Sequence, residues 1–89
     1  MESQRPLIIP MLKVKIVDPN QIVFEGEAEF VSAPSIHGNL GILPMHTPFF
    51  AELTSGDILI KTEKEQLYAI ASGIIKVRDD EVTILVTSK

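Results

Sequence analysis

Apolar and polar residues alternate one for one along most of this 89-residue chain, and a period of two admits little besides strands. Leu12, Val14 and Ile16 alternate with Lys13 and Lys15. Phe24, Gly26, Ala28 and Phe30 alternate with Glu25, Glu27 and Glu29, which reads as a strand or hairpin with one wet face. Further strands are expected over 49–53, 58–62, 67–71, 74–77 and 82–86. Asp18-Pro19-Asn20, Ser55-Gly56-Asp57, Glu63-Lys64-Glu65, Ser72-Gly73 and Asp79-Asp80 punctuate them. No window carries a 3.6-residue apolar stripe. Short strands at this spacing predict an all-β fold: an antiparallel β-sandwich or flattened barrel of about 8–10 strands, essentially without helix.

One segment departs from the alternation. Gly38 to Pro48 holds two glycines three apart, two prolines four apart, and His46 between the prolines. Glycine opens backbone angles closed to other residues, while Pro44 and Pro48 fix φ and remove N–H donors. The segment reads as a stiff loop on which Ile42, Leu43 and Met45 bring apolar surface close to His46. Several apolar doublets point the same way: Phe30-Val31, Ile42-Leu43, Phe49-Phe50, Ile74-Ile75 and Leu85-Val86 put grease on both sides of a strand. A sandwich buries only its inner faces, so the outward members are either scattered or gathered into a docking patch. Leu43, Met45 and one of Phe49 and Phe50 cluster around His46 in sequence, which favours a patch there.

Catalytic and ligand-binding readings fare less well. His46 as a general base lacks any fixed orienter or nucleophile, although Glu52, Asp57 and Thr47 are near in sequence. His37 and His46 alone, with no cysteine in the chain, fall short of a zinc ligand set. Gly38-x-x-Gly41 is followed by Ile42-Leu43-Pro44 and not by a helix start, so it does not build a phosphate cradle. A net charge of −4 without a basic cluster argues against a nucleic-acid role. No apolar run reaches the ~20 residues of a spanning helix. A chain this short buries only ~60–65% of its unfolded surface, so association is a natural source of further stability.

The motif Gly38-x-x-Gly41-x-x-Pro44-x-His46-x-Pro48 follows an x-Phe-x-Gly turn at Val23-Phe24-Glu25-Gly26. Ser55-Gly56-Asp57-Ile58, Ala71 to Val77 and Val82-Thr83-Ile84-Leu85 continue the series. This ordered set, covering about 11–87, resembles the epsilon subunit of F-type ATP synthases.

The resemblance implies an epsilon-type β-sandwich domain over 11–89, preceded by a short extension at 1–10, for which an unpacked leader and a packed arm both fit. It implies a non-catalytic rotor subunit with no cofactor or metal of its own. Its partners would be the gamma subunit and the ring of c subunits, with alpha and beta reached indirectly. Membrane contact would come only through the complex, at the cytoplasmic face of a bacterial inner membrane. Carried over by position, the gamma-facing set is Asp18, Leu43, Met45, His46, Phe49, Phe50 and Ala51. The c-ring-facing loop is His37, Gly38 and Asn39; family members often carry a carboxylate where Asn39 or its neighbour stands, so a neutral amide contact is expected here. The family commonly adds a carboxy-terminal helical hairpin, so a chain ending at Thr87-Ser88-Lys89 reads as a short form. The alternative from a different class is a free-standing β module that binds a small ligand beside the loop after Gly38. It would need a concave apolar cavity with convergent polar groups.

Overall fold

A computed structural model describes residues 10–45 and 47–88. Eight strands run through them: β1 (Leu12–Asp18), β2 (Gln21–Ala28), β3 (Phe30–Ser35), β4 (Gly38–Ile42), β5 (Phe49–Leu53), β6 (Gly56–Lys61), β7 (Glu65–Arg78) and β8 (Glu81–Ser88). No helix occurs among the described residues.

Hydrogen bonding runs β2-β1-β8-β7-β5-β3-β4, with β6 bridging β3 and β7. Fourteen residues long, β7 serves both layers. Its first half pairs with β6 from Gly56↔Ile70 to Lys61↔Glu65. Its second half lies between β5 and β8, with Ala51↔Ile75 on one side and Ile75↔Ile84 on the other. The alternation sends one set of side chains inward from each layer. Leu12, Val14, Ile16, Ile75, Val77, Val82 and Ile84 come from the first layer, and Val31, Ala33, Ile42, Ile58, Ile60 and Ile70 from the second. All are essentially sealed from water. Each such side chain contributes about 1.5–3 kcal/mol by burial, and together they are what holds the layers face to face.

The expectation of an antiparallel sandwich meets one exception. β1 and β8 run parallel, from Lys13↔Glu81 to Val17↔Leu85. Parallel neighbours need a long connection, and here all the intervening strands supply it. Three local expectations also need correction. The Gly38–Pro48 loop begins as a strand, because its first proline comes only at 44 and the N–H groups before it are free to pair with β3. Ser72-Gly73 does not divide two strands but lies within β7, at a register shift against β8 between Ile70 and Ser72. The turn at 55–57 is shorter than read: Gly56 and Asp57 already pair with Ile70 and Ala69, while Thr62 falls outside β6. The extension at 1–10 lies outside the described residues except for Pro10, which is exposed.

Two tight turns set the ends of the first layer. Asp79 and Asp80 have φ of 54° and 61°, the left-handed pair of a two-residue hairpin, which aspartate tolerates better than most residues. At the other end Asp18 closes the β1–β2 turn. Its Oδ1 accepts the N–H groups of Asn20 (2.8 Å) and Gln21 (3.0 Å), and its Oδ2 accepts the Ser88 hydroxyl at 3.0 Å. The carboxyl is held below its ordinary value of 3.8, first by the Asn20 N–H, with slight desolvation opposing and Ser88 and Gln21 adding to the lowering. A carboxylate with a depressed pKa stabilises the fold above its ordinary value and loses that contribution as pH falls through the folded value. Asp18→Asn, neutral throughout, should therefore be less stable than the parent by a constant margin from pH 7 to pH 5. The margin should shrink as pH drops below 3.8. Urea midpoints across that range check it, and a margin independent of pH would show that the charge plays no part.

Candidate docking surface

The outward members of the doublets are brought into line by the strand order. Ile74 on β7 stands opposite Leu85 on β8, Leu85 opposite Val17 on β1, and Val17 opposite Ile22 on β2. Their neighbours Ile75, Ile84 and Ile16 are fully buried, so these four face out of the first layer. Phe50, paired with Lys76 and 65% exposed, flanks the row from β5. Four strands spaced ~4.8 Å apart give the row a length of roughly 14 Å, and on β5 the residue in register with Ile74 is exposed Glu52. Leu85 remains 46% exposed and Ile22 53%. Single exposed apolar residues need no explanation, but a continuous row across a sheet does.

The sequence-based gamma-facing set is only partly reunited. Phe50 lies beside the row, in register with Lys76. Phe49 and Ala51, its neighbours on β5, turn inward and pack half-buried against the core. Leu43 and Met45 sit at the Asp79-Asp80 end of the layer, where the Met45 N–H donates to Asp80 Oδ1 at 2.6 Å. Met45 has a φ of 67° and is 82% exposed, so this one bond fixes a protruding apolar tip. Asp18 lies at the opposite end of β1 from the strand start that Asp80 holds, through Lys13 N–H to Asp80 carbonyl at 2.8 Å. Asp18 and Met45 therefore lie at opposite ends of the first layer and not at a single spot. His46 lies outside the described residues. Val17, Ile22, Ile74 and Leu85 were absent from the set. The doublets at 74–75 and 85–86 signalled two of them, but their adjacency depends on strand order.

His37, Gly38 and Asn39 come together at the exposed β3–β4 hairpin tip. Buried Ser35 organises it: its hydroxyl donates to the Gly38 carbonyl at 2.6 Å and accepts the His37 N–H at 3.1 Å. Gly38 has a φ of 116°, strained for any residue with a Cβ. The tip is braced on β5 through Ile36 N–H to Glu52 carbonyl (3.2 Å).

The free-standing ligand module finds little support in this geometry. A shallow, open depression of about 400 Å³ over β2, β1 and β8 is lined by Lys13, Lys15, Glu25, Glu27 and Glu81 together with Val14, Gly26, Val82 and Thr83, and the loop after Gly38 takes no part in it.

Comparison with known proteins places the chain in a family. The profile described as "ATP synthase, Delta/Epsilon chain, beta-sandwich domain" matches residues 11–88. The ATP synthase epsilon chain of Halalkalibacterium halodurans is 42% identical over 78 residues, covering 86% of this chain and 59% of that protein. That of Brevibacillus brevis is 41% identical over 76 residues, covering 83% and 58%. The chain thus spans somewhat over half the length of these curated relatives. The same fold recurs in a chain of the Euglena gracilis mitochondrial ATP synthase structure of OSCP, F1 and c-ring. The TM-score is 0.82 at 19% identity, over 99% of this chain and 58% of that one. It recurs again in the Tetrahymena thermophila mitochondrial ATP synthase central stalk and c-ring structure, with a TM-score of 0.73 at 17% identity over 86% and 63%. This chain belongs to the ATP synthase delta/epsilon chain family, through its β-sandwich domain.

Proposed function

We propose that this chain is a central-stalk subunit of a rotary F-type ATP synthase. It carries no chemistry of its own and helps couple transmembrane ion flow to ATP synthesis in the alpha and beta subunits. The observation that carries the reading is the apolar row of Val17, Ile22, Ile74 and Leu85, flanked by Phe50, in a member of this family. That face, with the Leu43–Met45 tip at one end and the Asp18 turn at the other, docks the gamma subunit. The Ser35-braced tip at His37, Gly38 and Asn39 meets the c ring, where Asn39 offers a neutral amide. The protein then sits as a peripheral subunit at the cytoplasmic face of a bacterial inner membrane, contacting lipid only through the complex.

A part that transmits torque must bind firmly without deforming. Stable interfaces bury ~1,200–2,000 Å² in total, an area to be divided between the gamma and c-ring contacts. Hydrogen-bonded strands beneath the row keep it rigid. Purified chain mixed with the gamma subunit of the same organism should co-elute on gel filtration at micromolar concentration. Separate elution would refute the reading. For the tip, Asn39→Lys should weaken retention of the chain on isolated c ring while leaving gamma binding unchanged. Equal retention of both would remove the tip from the interface.

A further inference from the structure

The apolar row is bordered asymmetrically by charge. Two residues back along each strand, toward the Asp79-Asp80 end, lies a second outward row: Phe50, Lys76, Thr83 and Lys15. Lys76 and Lys15 are exposed, flank Thr83 from either side, and neither makes an ion pair with a described residue. Glu25 stands opposite Lys15 only at the outer strand β2, and Lys76 has Phe50 and Thr83 for neighbours. On the far side of the apolar row, Ser72 and Thr87 are neutral. The first layer's outer face carries Lys13, Lys15, Lys76 and Arg78 together with Glu25, Glu27, Glu52 and Glu81. Lys13 stands between Glu27 and Glu81 and Arg78 opposite Glu81, whereas Lys76 has no carboxylate directly across from it and Lys15 has one only on β2.

We infer that the partner surface seated on this face is an apolar ridge bordered on one side by carboxylates, and that Lys15 and Lys76 select it. The inference rests on the gamma-docking reading and names the chemistry that gamma must present. Two lysines beside a desolvated apolar strip accelerate encounter with an acidic surface and penalise a basic one. Their attraction is screened as salt rises, whereas the apolar contact is not. Salt dependence therefore separates the two contributions.

The test titrates gamma subunit of the same organism onto immobilised full chain, from 50 mM to 500 mM salt. Four proteins are compared: the parent, Lys15→Glu/Lys76→Glu, Lys15→Arg/Lys76→Arg and Phe50→Ser. The reversed pair should bind at least tenfold more weakly at 50 mM salt, with a flattened dependence on salt. The arginine pair should match the parent. Phe50→Ser should lose affinity but keep the parent's salt slope. Unchanged affinity and slope in the reversed pair, with Phe50→Ser weakened, would overturn the charge inference and leave the docking face intact. No gamma binding by the parent would overturn the functional reading and this inference together. Thermal midpoints within a few degrees of the parent confirm that the exposed substitutions leave the fold in place.

Discussion

Gly73→Ala should cost the domain about 3 kcal/mol, the upper end of what one added methyl does in a packed interior. Gly73 does not occupy the left-handed region, so backbone freedom is not its purpose. Proximity is. A Cβ built there would stand 2.5 Å from the Leu85 carbonyl oxygen and 3.2 Å from Val86 Cα and Cγ1. Two of those three atoms are backbone and cannot swing aside, so β7 and β8 must separate where β7 passes from one layer to the other. A domain of this size has roughly 4–13 kcal/mol of stability in all. The thermal midpoint should fall by about 12–24 °C. Gly38→Ala provides the contrast: nothing lies within 4 Å of its added Cβ, and only its φ of 116° is strained. That change should cost about 1–2 kcal/mol. Urea unfolding of both variants checks the ranking, and a Gly73→Ala protein as stable as the parent would mean the two strands can part at no cost.

Gly73 also shows why part of this fold was hidden in the sequence. Read locally, Ser72-Gly73 breaks an alternating run, so two strands were expected where one continues. The glycine is there for the neighbouring strand's backbone, a long-range fact that no local pattern carries. The same holds at Gly38–Ile42, where glycines suggested a loop but Ser35, on the preceding strand, fixes a hairpin. By contrast β5 was legible residue for residue, and β1 and β8 to within two residues at either end, because one wet and one dry face enforce strict alternation. The parallel pairing of β1 with β8 was not legible, since alternation fixes which side a residue faces and not which strand lies beside it. The proposed docking face divides along the same line. Doublets announced that one member of each of 49–50, 74–75 and 85–86 faces outward; only the order β7, β8, β1, β2 makes a row of Ile74, Leu85, Val17 and Ile22.

Adjacent residues on β8 should therefore respond in opposite ways, and this contrast is the sharpest consequence of the fold. Ile84 is fully buried, and Ile84→Ala should destabilise the domain by about 2–5 kcal/mol through lost transfer free energy and a residual cavity. Leu85, 46% exposed one position on, contributes little to folding, so Leu85→Asp should shift stability by no more than about 1 kcal/mol. Binding reverses the order. At the centre of the apolar row, the new carboxylate would be buried by the partner without a counter-charge between Ile74 and Val17. Truncating a central contact costs ~2 kcal/mol or more, and an unpaired charge adds to that. Gamma affinity should drop at least a hundredfold. Ile84→Ala, held below its lowered melting point, should bind gamma within about fivefold of the parent, because its side chain never reaches the surface. Urea unfolding and a gamma titration of both variants decide the matter. If Leu85→Asp binds as the parent does, the row is not where the stalk is gripped, and the grip moves to the Leu43–Met45 tip.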